Sequence, residues 1–460
     1  MGRAPLRRLR SVSWRLKEPH PRPLPVKNRE GSHKETCVPF AYPLTEAQQR
    51  IADLGDELAE RLGRSLAPHE RDWSFAAENL DALHHAGYLR LALPREYGGE
   101  DADVFDMVIA QERLARGDPG SALVVGMTLN IIGRLRDDLT WPREVYAEVC
   151  RQLAAHGGGV NTCATEADLG SVSRGGIPAA TATAAPGGWR INGKKIFVTG
   201  APGLRYFVTL VQLPPSARAP NGEVGAAIVA AGSPGLHLQD AWRGALSLRT
   251  VGNYDVSYED VFVRDDWVVE RRPIPGPAER QAPKPPTGKG APGLGPWSLT
   301  IAAVYLGVGA AACRAAADYA NARIPSSFGK PIAEAPHVQQ WIGQMEIGID
   351  AARAQLFETA RLWRDHPELR DDLAPQIAAS KYLCTNAACA ASEIGLRVAG
   401  GFSLTPELSL ERHFRDARAG LFQPPQDDLT LALVGRNALA AARVLHDRGS
   451  PTATKGEQAA

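Results

Sequence analysis

The chain has almost no imbalance of charge: 52 Lys and Arg stand against 51 Asp and Glu, a formal net charge of +1. Nothing global therefore draws it to nucleic acid or to an anionic membrane surface. Cysteine is scarce too. Six thiols, at 37, 150, 163, 313, 384 and 389, are scattered over 460 residues. They make neither a disulfide framework nor a CxxC-type set, and Cys384 and Cys389 sit on neighbouring helix faces with no role assigned. HExxH is missing, "HVQQWIGQM" offers one His, and the adjacent His84 and His85 point to different helix faces. No metal site is expected from these spacings. No apolar run approaches the length of a membrane span. The absences leave a reduced, cytoplasmic protein of ordinary composition, 44% hydrophobic and 22% charged, with material for two or three domains.

Where charge does accumulate, it is local. Residues 1–36 hold ten Lys/Arg and three Asp/Glu. The first 17 residues, with five Arg, one Lys and no acid, share their composition with organelle transit peptides. Their prolines oppose a long amphipathic helix, so a solvated basic tail over 1–44 is the expectation.

Folded structure is expected to begin at "PLTEAQQRIADLGDELAERL". Thr45 and Gln48 have capping-box spacing, and Ile51, Leu54, Leu58 and Leu62 recur at helical steps. Residues 45–157 read as an α-helical domain. The texture then changes. Gly187-Gly188 and Asn192-Gly193 are hairpin-turn signals among β-branched and aromatic residues, and "NYDVSYEDVFV" alternates as a strand, so 158–270 reads as a small β barrel or sheet domain. A Pro/Gly-rich linker covers 271–296. Helical stripes resume at Ile301 and Ile342, and further helices fit 374–399 and 426–446, giving a four-helix bundle over 297–447 and a tail at 448–460. The fold class is α+β, in the order α, β, α. "GVGAAA", from Gly307 to Ala312, matches a dinucleotide fingerprint, but it lies inside a helical stripe, where small residues serve close packing.

Five segments appear in order: "LPREYGGEDAD", "TCATEADLGSVS", "NGKKIFVTG", "ARIPSSFGKPI" and "LRVAGGFSLTPELSLERHFRDAR". Across about 45–447, this order and spacing resembles the acyl-CoA dehydrogenase family. The resemblance implies a flavin, FAD with FMN as the alternative, held at the cofactor-binding positions Thr162, Cys163, Thr165, Gly170, Ser171, Phe197, Thr199, Arg323, Arg397, Gly400 and Gly401. Thr165 and Thr199 fall at the family's flavin edge, and Phe197 stands where the family has Trp. Val172 replaces the Asp that follows the Gly-Ser, Arg397 takes a place often held by Gln, and the spacing after Arg323 is lengthened. Read by themselves, these residues have plainer roles: strand threonines, a core Phe197, a helix-terminal cation at Arg323, a helix stop at Gly400-Gly401.

The resemblance also implies α,β-dehydrogenation of an acyl-CoA or acyl-carrier thioester, an electron-transfer flavoprotein or other acceptor, and a homotetramer with each flavin shared between subunits. Such chemistry needs a base for the α-proton. In much of the family it is a Glu nine residues after the Arg of "RDA"; from Arg415 that position is Pro424. The family's second location, near the start of the first bundle helix, falls on Trp297, and the Arg beside it becomes Ser298. Positioned bases contribute roughly 10²–10⁴-fold, so the loss needs an explanation. Asp427, Asp428 and Glu166 are the substitute carboxylates to test. Two other readings accommodate the loss: a reduced-flavin monooxygenase on the same fold, whose loop His is also missing, with His413 lying earlier, or a non-catalytic flavin- or acyl-binding partner subunit.

Overall fold

A computed structural model describes residues 42–169, 176–276 and 295–449. The basic tail, most of the Pro/Gly linker, the last residues of the chain, and Gly170, Ser171 and Val172 lie outside the described residues. Six helices come first: α1 (Glu46–Gly63), α2 (Leu66–Asp72), α3 (Ala77–His85), α4 (Val104–Ala115), α5 (Pro119–Asp137) and α6 (Arg143–His156). The chain enters α1 through the expected capping box. Thr45 Oγ1 accepts from the Gln48 N–H at 3.2 Å, and Gln48 Oε1 accepts from the Thr45 N–H at 3.1 Å. Asp103 and Asp118 cap α4 and α5 in the same way, each accepting from the third residue on. Both of those helices are buried on most faces, so α4 and α5 form the floor on which later helices pack.

The sheet follows: β1 (Gly159–Cys163), β2 (Thr181–Ala185), β3 (Gly188–Val198), β4 (Leu204–Leu213), β5 (Glu223–Ala230), β6 (Leu236–Asp240), β7 (Tyr254–Arg264) and β8 (Val268–Pro273). Its order is β6-β7-β3-β2-β4-β5-β8, with β1 pairing β4 in parallel. The turn from β2 into β3 falls one residue earlier than expected, at Pro186-Gly187, with Gly188 already paired to Ala185. Asn192-Gly193 does not turn the chain; β3 runs straight through it and bulges against β7. The glycine is used for proximity instead. At φ 144°, a Cβ on Gly193 would lie 2.6 Å from the Ala180 Cβ.

The remaining helices are α7 (Leu299–Ala322), α8 (Pro336–Asp365), α9 (Ala374–Ala399), α10 (Leu410–Ala417) and α11 (Asp427–Gly449). Contrary to expectation, the segment 296–322 is long and apolar enough to cross a membrane. Its apolarity has another cause: α7 is the bundle's central helix, packed against α4, α5, α8, α9 and α10. Gly307 and Gly309 sit in that packing. A Cβ on either would run into the Glu112 carbonyl of α4 or into Ile349 of α8. "GVGAAA" is thus a close-packing motif.

Candidate functional site

The sequence-matched residues gather in two places. The first is on the sheet. The Ile196 N–H donates to the Thr165 carbonyl at 2.9 Å. Just beyond, β3 bulges between Lys195 and Val198, and Phe197 takes φ 57°, a backbone region that bulky residues rarely enter. Bulges re-aim side chains. Here Phe197 is 59% exposed, with Trp242 edge-on to its ring at 6.0 Å. Phe197 is therefore not a core residue. Thr199 is half-buried; its hydroxyl donates to Asn253 Oδ1 at 3.3 Å, and its carbonyl accepts from Asn161 Nδ2 at 3.0 Å. Thr162 is exposed on β1. The Cys163 side chain is turned away from any cofactor on this face. Strand alternation turns it into the core at 1% exposure, and burial pushes its thiol up to about 12.

Glu166 must be withdrawn as a base. It is 5% exposed, and both oxygens are engaged. Oε1 accepts from Lys195 Nζ at 2.6 Å and from the Ala180 N–H at 3.0 Å; Oε2 accepts from the Ala179 N–H at 2.7 Å. Burial pushes its pKa up, but the Lys195 ammonium and the two N–H groups outweigh burial and hold it below the ordinary value. Such a carboxylate is a poor proton acceptor.

The second gathering is in the bundle. Arg323, Arg397, Gly400 and Gly401 line one cavity of about 510 Å³, together with Tyr319, Phe328, Trp341 and Phe402. The Arg323 guanidinium lies 4.9 Å over the Phe402 ring, and it has no ion pair among the described residues. Arg397 Nη2 donates to Glu393 Oε1 at 2.7 Å. Gly400 ends α9 at φ 59°, and a Cβ on either glycine would meet nothing within 4 Å, so both leave open space. Two guanidiniums suit a phosphate or pyrophosphate, and the aromatic walls suit a planar ring. The helix-end readings of Arg323 and Gly400 also hold, because both are cap residues.

The loop after "RDA" is anchored at several points. Arg415 ties α10 to Glu70 of α2 at 2.9 Å and to the Leu246 carbonyl at 3.1 Å, and pairs with Glu411 one turn back on α10 at 2.6 Å. Asp416 accepts from the Leu248 N–H at 2.7 Å, and burial pushes its carboxyl up to about 7. The same turn receives the Trp242 indole N–H on the Ser247 carbonyl at 3.1 Å. A chain of contacts thus runs from Phe197 through Trp242 to the loop. A Cβ on Gly420 would stand 2.7 Å from Thr385 and 3.0 Å from Tyr305, which fixes the loop on α9 and α7.

No carboxylate stands at either family base position. Pro424 is exposed. Trp297 is buried flat on Gly133, its indole N–H donating to Asp137 Oδ2 at 2.8 Å. His413 is buried, and burial pushes its imidazole well down. Asp427 opens α11 and accepts from Asn386 Nδ2 at 3.0 Å through one oxygen; the other is buried and has no hydrogen-bond partner among the described residues. Asp428 is exposed. Among the described residues no cluster of three His, Cys, Asp or Glu is arranged to hold a metal ion.

Several site residues carry little or no signal in the sequence. Phe328 and Phe402 stand inside the matched segments beside glycines, a signal that was available. Trp242 and Trp341 lie outside every matched segment.

Three family models match the chain: acyl-CoA dehydrogenase N-terminal domain over 45–136, middle domain over 161–261 and C-terminal domain over 299–422. A Bacillus subtilis protein, provisionally named acyl-CoA dehydrogenase YdbM, is 35% identical over 374 residues, covering 81% of this chain and 92% of that one. Butyryl-CoA dehydrogenase from Megasphaera elsdenii has the same fold, with a TM-score of 0.72 at 22% identity over 87% of this chain and 100% of that one. FMN-bound TdsC from Paenibacillus sp. A11-2 gives 0.73 at 21% identity over 85% and 98%.

Proposed function

The chain belongs to the acyl-CoA dehydrogenase family, and from that premise we propose that it is a flavin-dependent oxidoreductase acting on the Cα–Cβ bond of an acyl thioester. The observation that carries the reading is the bundle cavity, which brings Arg323, Arg397, Gly400 and Gly401 together from two separate segments. That cavity fits the adenylate half of FAD. Arg323 would meet the pyrophosphate, and the aromatic walls would hold the adenine. The end of β3, at Thr165, Phe197 and Thr199, would hold the ring system. Bound there, the flavin supplies a hydride acceptor. The protein's share is to orient the thioester, exclude water and take the α-proton. Asp427 and Asp428, at the start of α11 just past the loop, are the carboxylates left for that task.

A homotetramer would let the cavity of one copy serve the β3 end of another. The electron acceptor would be an electron-transfer flavoprotein or a similar carrier.

A specific observation favours a second reading. Pro424 and Trp297 leave both family base positions without a carboxylate, as suits a reduced-flavin monooxygenase, in which no α-proton is removed. Anaerobic titration of the flavin-loaded protein with acyl-CoAs of several lengths separates the two. Bleaching of the flavin by one of them is expected. Retained colour with every acyl-CoA, followed by oxygen-dependent product formation once a reductase is supplied, would overturn the dehydrogenase reading.

A further inference from the structure

We propose that the buried Lys195–Glu166 ion pair is a positioning device, holding the β3 bulge in the shape that turns Phe197 outward to the flavin ring. The proposal takes its ligand from the flavin reading and its geometry from the sheet alone.

The pair joins three stretches of chain. Lys195 lies on β3 with its side chain 0% exposed, and its ammonium reaches Glu166 Oε1 at 2.6 Å. Next along β3, the Ile196 N–H donates to the carbonyl of Thr165, the neighbour of Glu166. Next again comes Phe197 at φ 57°. Two successive residues of β3 are thus bound to two successive residues of the 165–166 segment, and the third is forced out. Glu166 also accepts from the N–H groups of Ala179 and Ala180. That corner is itself fixed, because the Gln212 N–H of β4 donates to the Ala180 carbonyl at 2.8 Å and Gly193 packs against the Ala180 side chain. One carboxylate therefore collects donors from β3 and from the 179–180 corner.

Burial of such a pair is weak evidence for stability, since an apolar pair of similar volume often serves as well. What an apolar pair lacks is direction. A strained backbone at Phe197 persists only where its surroundings over-determine it, and short charge-assisted bonds from fixed donors do that. Lys195 and Glu166 are turned into the sheet, so they act on the flavin only through Phe197 and Thr165.

The test is the double variant Lys195→Met/Glu166→Gln. It removes both charges and keeps one side-chain oxygen, which can accept from Ala179 or from Ala180. FAD should bind about tenfold more weakly, as when a partner that orients a ligand-holding group is lost. The flavin's visible band should shift, with the thermal midpoint of the flavin-free protein within a few degrees of wild type. Phe197→Ala should give the same loss and add nothing to the double variant. An unchanged FAD affinity and an unchanged band would overturn the proposal. If the double variant fails to fold, or if wild type takes up neither FAD nor FMN, amide exchange in the folded Glu166→Gln protein decides. Faster exchange at Ile196 supports the positioning role; unchanged protection refutes it. Failure of wild type to bind flavin would sink only the flavin reading.

Discussion

Arg323 and Arg397 line the same cavity, yet they should not matter equally to a nucleotide. Arg323 has its charge free among the described residues and its plane against Phe402. Arg397 shares its charge with Glu393 at 2.7 Å. A hydrogen bond between charged groups is worth roughly 1.5–3 kcal/mol. Arg323→Ala should therefore weaken FAD binding about 10- to 150-fold. Arg397→Ala should cost about threefold to tenfold, because its guanidinium already has an acceptor. Arg323→Lys keeps the charge but not the planar stack, and should fall between wild type and Arg323→Ala. The assay is equilibrium titration of flavin-free protein with FAD and, separately, with FMN, which lacks the adenylate half. FMN affinity should hardly change in either variant. Equal losses for FMN and FAD, or an Arg397→Ala as damaging as Arg323→Ala, would refute the assignment of this cavity to the adenylate.

Three further outcomes are expected. Glu112 is buried between Arg116 at 2.9 Å and Arg353 at 3.0 Å; burial would raise its pKa, but the arginines hold it at about 2 instead of 4.5. Glu112→Gln should cost about 3 kcal/mol at pH 7 by urea unfolding, and the gap to wild type should shrink as pH falls from about 4.5 toward 2. Lys381 is buried, its Nζ makes no hydrogen bond among the described residues, and burial pushes it down from 10.5 to about 8, with Asp427 opposing. The unfolded chain binds that proton more tightly, so wild type should gain stability as pH rises from about 8 toward 10.5; Lys381→Met should raise Tm at pH 7 and lose that gain, and a lower Tm at pH 7 would refute it. Pro424→Glu should raise the rate of anaerobic flavin bleaching by acyl-CoA by roughly 10²-fold or more, and no increase would count against a thioester seated beside this loop.

Much of the fold was legible because its signals are local. The capping box at Thr45 and a helix over 374–399 depend on residues within a turn of one another, and both stand where the pattern puts them. Asn192-Gly193 misled for the same reason. A two-residue turn signal knows nothing of β7, whose pairing draws β3 straight on. Cys163 sits one residue from exposed Thr162, so strand alternation alone would have turned it inward. The site was harder to read. Its cavity draws on residues from Tyr319 to Trp341 and from Arg397 to Phe402, and helix packing sets which of them meet. Glu166 looked available as a base because Lys195, 29 residues on, leaves no local trace of the bond that occupies it.

The loop after Asp416 shows why fold and reaction come apart here. Its start is fixed by the end of α10, through Arg415 on Glu70 and the Leu246 carbonyl and Asp416 on the Leu248 N–H, and its course by Gly420 against Thr385 and Tyr305. None of these contacts involves residue 424, whose side chain is exposed. A carboxylate there would add no anchor, and a proline there removes none. Trp297 differs: it is packed on Gly133 and bonded to Asp137, so the second base position has become part of the core. A carboxylate restored at 297 would be buried where a ring now packs, at the cost of an unfilled core and a desolvated charge. Only the 424 position can therefore regain a base without rebuilding the fold, which makes Pro424→Glu, and not a change at Trp297, the substitution that reports on chemistry instead of stability.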